Sequence, residues 1–435
     1  MLPSLILVAL SLSVTVYSHG GLKLMGALDA VEALKSRASS PFPSNHFSHD
    51  DSGSEESVDK RAENMKCGPQ EGSCPTGFCC SIGGFCGKGF HYCSGPACQL
   101  SYGDSCDGNI SPLGEPTADV PRPHLGNVSY GGTGIYFCTK KNVVALTFDD
   151  GPYIYTNDLL DILKRYDAKA TFFLTGNNMG KGEMDNETTG YPQIVKRMYA
   201  EGHQLASHTW THQNLSGISA VQRENQMYFN EMAFRNILGF FPTYMRPPYS
   251  QADNATQQML SDMGYHVIYY NINSDDYSND TPELIQNAKD EVNAQFGTVN
   301  VEAGYPANFI EIGHDIHDQT VYNLTSWTLE RMLALGFGTS VTVGECLGDP
   351  PENWYRAASG ALENAPVSKS LAAISPTAIP TSGPSASASL TGATAQQTST
   401  SQGSKVDKAR MDVVLTGILG FIIISSDAFA LDIFA

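Results

Sequence analysis

The tightest constraint on this chain of 435 residues is a cluster of cysteines. Eight of the ten cysteines fall within residues 67–106, a stretch rich in glycine and poor in the large apolar residues that build a core. Disulfide bonds must therefore hold that segment together. An even number of densely spaced cysteines is typical of proteins that fold in an oxidising, secretory compartment, and seven Asn-x-Ser/Thr sequons support the same compartment.

Both ends of the chain look like targeting and processing segments. Residues 1–18 contain a short apolar run that predicts a signal peptide. Residues 19–61 are largely polar and end in Lys60-Arg61, which favours a propeptide removed by a secretory protease; a chance dibasic pair is the alternative. We therefore expect a secreted protein.

The C-terminal region has a stalk-like composition followed by an apolar tail. Residues 357–404 are dominated by Ala, Ser, Thr and Pro, which predicts an extended stalk. Residues 405–435 resemble a GPI-attachment signal, although Asp427 and Asp432 interrupt the apolar part. An ordinary terminus is the alternative. These features predict localisation at the cell wall, with a GPI anchor as the membrane attachment.

The charge balance excludes one class of partner. Lys and Arg number 26 and Asp and Glu number 45, so the formal net charge is −19. Because nucleic-acid binding needs a basic face, we expect no nucleic-acid partner.

The order of the clustered cysteines resembles that of the hevein-type chitin-binding module. The resemblance implies four disulfides: Cys67–Cys80, Cys74–Cys86, Cys79–Cys93 and Cys98–Cys106. Spacing alone permits 105 connectivities for eight cysteines. The resemblance also implies that Ser81, Phe85 and Tyr92 bind N-acetylglucosamine, the rings by stacking and the hydroxyl by hydrogen bonding. A disulfide-stabilised knot with no ligand is the alternative.

Residues 107–133 read as a linker, and residues 134–350 form a separate domain in which helices and strands alternate. Alternation with apolar strands predicts a parallel sheet covered by helices, either open or closed into a barrel. Cys138 and Cys346 flank this region, and a Cys138–Cys346 bridge would close it. The predicted strands are 143–146, 171–174, 204–207, 244–246, 267–270, 309–312 and 340–343, and the predicted helices are 157–166, 192–200, 220–238, 256–263, 282–296 and 325–335.

Two polar stretches in this domain point to a metal centre. Asp149 and Asp150 follow the first strand, and because successive side chains leave a strand on opposite faces, they should do different jobs. His208 and His212 are spaced so that a helical turn would present both imidazoles on one side. One acid with two histidines makes a three-ligand site with an open position, as in catalytic zinc sites. An acidic surface turn is the alternative for Asp149-Asp150.

Five motifs together resemble the polysaccharide deacetylase family, carbohydrate esterase family 4, and within it the fungal chitin deacetylases. The resemblance implies a distorted (β/α) barrel, so the expected fold class is α/β with an added small disulfide-rich, hevein-like domain. The motifs, in chain order, are Thr147-Phe148-Asp149-Asp150, His208-Thr209-Trp210-Thr211-His212, Arg246-Pro247-Pro248-Tyr249, Asn273-Ser274-Asp275-Asp276-Tyr277 and Ile312-Gly313-His314-Asp315.

The same resemblance implies the ligands of a divalent metal, Asp150, His208 and His212. It also implies that Asp149 is the general base and that Arg246 holds it ionised and oriented. A ligand set of one carboxylate and two imidazoles favours Zn²⁺ over Mg²⁺, and Co²⁺ is an alternative.

The remaining matched positions imply the rest of the reaction machinery. His314 corresponds to the general acid, Asp276 to its partner, and the backbone N–H of Tyr249 to an oxyanion donor. Tyr277 and Ile312 correspond to groove and acetyl-pocket positions.

These matches predict metal-dependent hydrolysis of N-acetyl groups of chitin or chitin oligosaccharides to chitosan and acetate. Two alternatives stay open: deacetylation of another polysaccharide, such as xylan or peptidoglycan, and a non-catalytic chitin-binding wall protein.

Overall fold

The computed structural model describes residues 65–297, 299, 301 and 307–357. The predicted signal peptide, propeptide and GPI signal, and the stalk beyond residue 357, lie outside these residues. Within the described ranges no helix is long and apolar enough to cross a bilayer.

The cysteine-rich segment is a small hairpin closed by disulfides. Strands β1 (Cys79–Cys80) and β2 (Cys86–Gly87) pair antiparallel, and the short helix α1 (Phe90–Cys93) follows them. The chain forms the four bonds that the hevein-type resemblance implies, Cys67–Cys80, Cys74–Cys86, Cys79–Cys93 and Cys98–Cys106. Several of these cysteines are fully buried, so the disulfides themselves form the core of this domain.

The larger domain is built on a parallel seven-stranded sheet with the order β8-β7-β5-β4-β3-β10-β9. Its two seven-residue strands, β3 and β10, are in parallel register from Val143↔Asn308 to Asp149↔His314. The sheet curves as an open, distorted (β/α) barrel, which confirms the expected fold class. Its strands are β3 (Val143–Asp149), β4 (Ala170–Leu174), β5 (Gln204–Ser207), β7 (Tyr244–Met245), β8 (His266–Val267), β9 (Ile272–Asn273) and β10 (Asn308–His314).

Helices connect and cover these strands, because a parallel pair requires a crossover. Helix α2 shows the pattern: it buries Leu159, Leu160 and Leu163 against the sheet and ends in Lys164 and Arg165, which favour a helix C-terminus. The helices are α2 (Thr156–Arg165), α3 (Tyr191–Ala200), α4 (Ala220–Leu238), α5 (Asn254–Asp262), α6 (Ile285–Phe296), α7 (Thr325–Ala334) and α8 (Val343–Leu347).

The predicted last strand, Ser340–Val343, is wrong. Ser340 and Val341 do lie beside β3, but the hydroxyl oxygen of Ser340 accepts the Leu146 N–H in place of a backbone carbonyl. Thr342 and Glu345 then form a capping box that starts α8. The Thr-x-x-Glu spacing was visible in the sequence, and it redirects the chain into a helix.

The sequence pattern missed strand β9 (Ile272–Asn273), since the strand predicted at 267–270 ends at Val267, and it missed one antiparallel pair. Strands β6 (Phe240–Pro242) and β11 (Tyr355–Ala357) pair antiparallel at the end of α4. Each has only three residues, too few for an alternation to be recognised.

The linker prediction for residues 107–133 also needs correction, because this segment packs against the barrel. Arg122 donates from Nη1 and Nη2 to the two carboxylate oxygens of Glu231 at 2.8 Å each. The Thr117 hydroxyl and the Tyr265 hydroxyl donate to the same carboxylate at 2.5 and 2.7 Å. The segment does connect the two domains, but it is packed along the barrel, and the buried Glu231 of helix α4 is one of its attachments.

A disulfide between Cys138 and Cys346 joins the segment before β3 to helix α8. It spans 208 positions of sequence. Because closing so long a loop restricts the unfolded chain strongly, bonds of this kind stabilise a fold by roughly 2–5 kcal/mol.

Candidate active site

The five motifs meet at the carboxyl ends of the parallel strands. Asp149 and His314 are register partners at the last paired positions of β3 and β10. His208 follows β5 directly and Arg246 follows β7 directly. Strand ends of a parallel barrel converge on one rim, so residues far apart in sequence share one site.

Asp149 and Asp150 have different partners. Asp149 Oδ1 accepts from Arg246 Nη1 at 2.7 Å, and both side chains are buried. Asp150 leaves the strand in the left-handed region, with φ at 77°. Its Oδ1 lies 3.4 Å from His212 Nε2 and 3.9 Å from His208 Nε2. Asp149 Oδ2 also lies 3.6 Å from His208 Nε2, so the two carboxylates differ in that Asp149 pairs with Arg246 and Asp150 is the one close to His212.

The helical-turn interpretation of His208 and His212 is wrong. Residues 208–213 form an irregular loop after β5, in which Thr209 and His212 have φ of 72° and 55°. The imidazole centroids are nevertheless 4.9 Å apart. The two imidazoles are therefore brought together by left-handed residues in the loop and not by a helical turn.

The donor set of Asp150, His208 and His212 fits a transition metal. Their ligand atoms lie within 4.8 Å of one another. His208 Nδ1 lies 2.7 Å from the Arg246 carbonyl oxygen, so Nδ1 donates there and Nε2 presents its lone pair. The Asn178 amide donates to Asp150 Oδ1 at 3.2 Å and orients that carboxylate. One oxygen and two nitrogen donors suit Zn²⁺ better than Mg²⁺.

The electrostatics of this triad favour ligands in their metal-binding protonation states. Burial opposes ionisation of Asp150, but attraction from His212 and His208 outweighs it and lowers the pKa of Asp150 to about 2. Burial lowers the pKa of His212 to about 4, although Asp150 opposes that shift. Near neutral pH Asp150 is therefore ionised and His212 is neutral, as metal coordination requires.

His314 faces the triad from the opposite side and is held by Asp276. His314 Nδ1 donates to Asp276 Oδ1 at 2.7 Å, and the His314 backbone N–H donates to Oδ2 at 2.7 Å. Burial alone would lower the pKa of His314, but attraction and hydrogen bonding from Asp276 raise it to about 10. A protonated imidazole at the rim can serve as a general acid.

Tyr249, Tyr277 and Ile312 surround this chemistry. The Tyr249 backbone is left-handed, with φ at 59°, and its ring meets His212 edge to face at 4.7 Å. The Tyr277 ring is 56% exposed and meets His314 edge to face at 5.6 Å. Ile312 is buried two residues before His314, on the same face of β10. These positions are compatible with a groove wall and a small apolar pocket.

Backbone strain concentrates at the site. Of nine non-glycine residues with positive φ among those described, six lie within or beside the motifs. Such conformations cost about 1–3 kcal/mol each and persist only where the surroundings enforce them. The six are Asp150, Thr209, His212, Tyr249, Ser250 and Asp275.

Sequence reasoning missed several supporting residues. Lys181 Nζ donates to the backbone carbonyls of Asp150 and Gly151 at 2.9 Å, and no motif marks it. The Asp315 carboxylate accepts from the Thr156 hydroxyl at 2.5 Å and lies against Gly151, where an added Cβ would be 2.2 Å from it. Asp315 was visible in the fifth motif, but its role was not.

On the cysteine-rich domain, Ser81 and Phe85 flank the turn of the hairpin. The Ser81 hydroxyl donates to the Phe85 carbonyl at 3.0 Å, and the Phe85 ring is 43% exposed. The Tyr92 ring covers Gly87, where an added Cβ would be 2.4 Å away. Phe85 and Gly87 are alternate residues and so share one face of the hairpin. Because Tyr92 packs on Gly87, its ring lies on that same face.

A carboxylate with its own arginine, beside a second carboxylate with two imidazoles, defines a centre for metal-assisted hydrolysis. A family model described as polysaccharide deacetylase matches residues 137–268. The chain is 43% identical over 227 residues to a chitin deacetylase of Colletotrichum lindemuthianum, covering 52% of this chain and 88% of that protein. It is 41% identical over 248 residues to a chitin deacetylase of a Pestalotiopsis species, covering 57% and 74%.

A solved structure of the chitin deacetylase from the fungal pathogen Colletotrichum lindemuthianum also aligns with the chain. The identity is 42%, the match covers 52% of this chain and 96% of that structure, and the TM-score is 0.49. On the strength of the sequence relatives, the chain belongs to the polysaccharide deacetylase family.

Proposed function

We propose that this protein is a secreted chitin deacetylase of the cell wall, which hydrolyses N-acetyl groups of chitin to chitosan and acetate. The observation that carries the proposal is the separation of Asp149, paired with Arg246, from Asp150, grouped with His208 and His212. Both relatives named above are chitin deacetylases, and the cysteine-rich domain has the disulfide framework that resembles a chitin-binding module.

Asp150, His208 and His212 would hold a divalent metal, with Zn²⁺ as the proposed ion and Co²⁺ as an alternative. A metal ion at these three donors supplies Lewis acidity, which makes water more acidic and polarises a carbonyl oxygen. His208 Nε2 is available for it because Nδ1 is engaged with the Arg246 carbonyl.

Asp149 is the general base of the proposed reaction. Arg246 occupies Oδ1, while Oδ2 points toward the metal donors and lies 3.6 Å from His208 Nε2. Oδ2 is therefore the atom that accepts a proton from the attacking water. Asp149 can accept this proton because the proposed metal ligands are Asp150, His208 and His212, which leaves its Oδ2 uncoordinated.

His314 completes the reaction as the general acid. The amide nitrogen leaves poorly unless it is protonated, and the Asp276 carboxylate keeps His314 charged to donate that proton. The Tyr249 backbone N–H donates to the oxyanion, while Ile312 and Tyr277 contact the acetyl group and the sugar ring.

The experiment is a substrate panel with acetate release as the readout. Full-length protein loaded with Zn²⁺ is incubated with chitin oligomers, acetylated xylan and peptidoglycan. We expect the fastest release from chitin oligomers. Faster release from xylan or peptidoglycan would assign the protein to that substrate, and no release from any of the three would leave a chitin-binding wall protein.

A further inference from the structure

The cysteine-rich domain contacts the loop that carries two of the candidate metal ligands. Trp210 and Thr211 lie between His208 and His212, and both are fully buried. Trp210 Nε1 donates to the carbonyl oxygen of Asp107 at 3.1 Å, directly after the last cysteine of the cluster. The residue that follows the small domain therefore contacts the middle of the ligand loop.

Two glycines let the small domain approach Thr211 this closely. A Cβ added at Gly95 would lie 2.4 Å from Thr211 Cβ and 2.5 Å from its carbonyl oxygen. A Cβ added at Gly108 would lie 2.8 Å from Thr211 Oγ1. A side chain at Gly95 would push the domain and the loop apart, and one at Gly108 would press on Thr211 and also on Leu100 of the small domain, whose Cδ2 would be 2.7 Å away.

Gln226 of helix α4 ties the same contact together. The Thr211 backbone N–H and hydroxyl donate to Gln226 Oε1 at 2.8 and 3.0 Å. Gln226 Nε2 in turn donates to the Gly108 carbonyl at 3.3 Å. One side-chain amide thus joins the ligand loop to the small domain.

The same edge of the small domain also holds the loop beside the third ligand. The Met179 N–H donates to the Gly95 carbonyl at 2.7 Å. The preceding residue, Asn178, donates to Asp150 Oδ1, and the following residue, Gly180, lies under the Phe90 ring. Contacts from one domain edge therefore reach both sides of the metal centre.

These contacts matter because the ligand loop is strained. Thr209 and His212 both have positive φ, and each such residue costs about 1–3 kcal/mol unless the surroundings enforce it. Part of that enforcement comes from Gly95, Asp107 and Gly108, which belong to the small domain and the residues after it.

We propose that the cysteine-rich domain is a positioning element of the metal centre in addition to a polysaccharide-binding module. Gly95 on its edge, together with Asp107 and Gly108 directly after its last cysteine, holds the 208–212 loop and the 177–181 loop in the ligand geometry. The inference rests on the proposed function for its catalytic consequence. A module that only bound polysaccharide would leave metal affinity, and turnover of short soluble oligomers, independent of this edge.

A graded set of glycine variants in the full chain tests the proposal. Gly95→Ala meets loop backbone, Gly108→Ala meets only side-chain atoms, and the matched control Gly83→Ala meets nothing closer than 3.7 Å. Zn²⁺ affinity of the metal-stripped proteins is measured by calorimetry. We expect a loss of about 10-fold or more for Gly95→Ala, a smaller loss for Gly108→Ala, and no change for Gly83→Ala.

Turnover of soluble chitotriose and binding to insoluble chitin are measured on the same variants. The rate constant kcat should fall in the order of metal affinity, while chitin binding stays intact because Phe85 is untouched. Should Gly95→Ala fail to fold, Gly108→Ala carries the test. Equal Zn²⁺ affinity and equal kcat in the folded variants would overturn the proposal. Absence of acetate release by the unmodified protein would overturn the proposed function instead, while the affinity order would still decide the positioning role.

Discussion

Arg246 Nη1 lies 2.7 Å from Asp149 Oδ1, in a pair that is almost completely buried. The guanidinium is also fixed by the Thr147 hydroxyl at 2.8 Å and by the carbonyls of Ile268 and Tyr269 at 3.2 and 3.1 Å. Its plane lies over the Phe173 ring at 4.1 Å. Arg246 therefore fixes Oδ1 of Asp149, the proposed base, and leaves Oδ2 on the side of His208.

Replacement of Arg246 should reduce turnover more than substrate binding. Arg246→Lys keeps the positive charge but removes the planar guanidinium with its several N–H donors, so Asp149 loses its orientation. We expect kcat to fall about 100-fold with little change in KM. In Arg246→Met the buried carboxylate also loses its partner, which costs roughly 3–5 kcal/mol of stability. Steady-state kinetics and thermal unfolding check both. A folded Arg246→Lys with kcat within threefold of the unmodified protein would contradict this role.

The pH profile should report the pair of His314 and Asp276. The acid must be protonated, so activity is retained below the pKa of His314 and lost as pH rises through about 10. In Asp276→Asn the attraction of Asp276 is removed while burial and the weaker attraction of Asp150 and Asp149 remain, so the alkaline limb should move to lower pH. The check is kcat/KM measured from pH 5 to 11. An unmoved alkaline limb in Asp276→Asn would show that another group is the acid.

Loss of one imidazole should distinguish metal ligands from neighbouring histidines. His212→Ala removes a donor and should weaken Zn²⁺ binding by at least about 100-fold. The matched control is His317→Ala, since His317 is also half-buried near His314 but pairs with Asp280 at 2.8 Å and is not in the triad. Calorimetry with Zn²⁺ measures both. Equal losses in the two variants would remove His212 from the ligand set.

Polysaccharide binding by the small domain should depend on Phe85. Phe85→Ala removes an exposed ring, so affinity for insoluble chitin should fall about 10-fold, the equivalent of about 1.4 kcal/mol. We expect kcat on soluble oligomers to stay unchanged, because the Phe85 ring is exposed and the Phe85 backbone pairs with Ser81 and Lys66 inside the small domain. A pull-down on chitin, with oligomer kinetics as the control, checks this. Undiminished chitin binding by Phe85→Ala would show that Phe85 is not part of the sugar-binding site.

The alternation of apolar strands and helices predicted where the strands end, and the resemblance to the polysaccharide deacetylase family singled out Arg246 and His314 among the residues at those ends. Asp149, His208, Arg246 and His314 therefore meet as expected. The loop between His208 and His212 could not be derived, since positive φ at Thr209 and His212 depends on tertiary contacts. The same is true of residues 107–133, whose packing depends on partners distant in sequence, among them Glu231, Arg235 and His266.

The sequence also did not predict very short strands, one helix start and one contact made through backbone carbonyls. Strands β6 and β11 have three residues each, below the length at which periodicity is informative. The strand expected at residues 340–343 satisfied the apolar pattern, but the capping box of Thr342 and Glu345 decided the local structure. Lys181 acts through backbone carbonyls, and such contacts leave no mark in sequence.

The central claim is a division of labour in which Asp150, with two histidines, holds the metal while Asp149 acts as the base. Mass spectrometry of a defined chitin pentamer tests it with three proteins: Zn²⁺-loaded, chelator-treated, and Asp149→Asn carrying a full complement of Zn²⁺. The account predicts loss of acetyl groups only with the first, and metal binding equal in the first and third. Deacetylation by Asp149→Asn or by the chelated protein at the unmodified rate would contradict it.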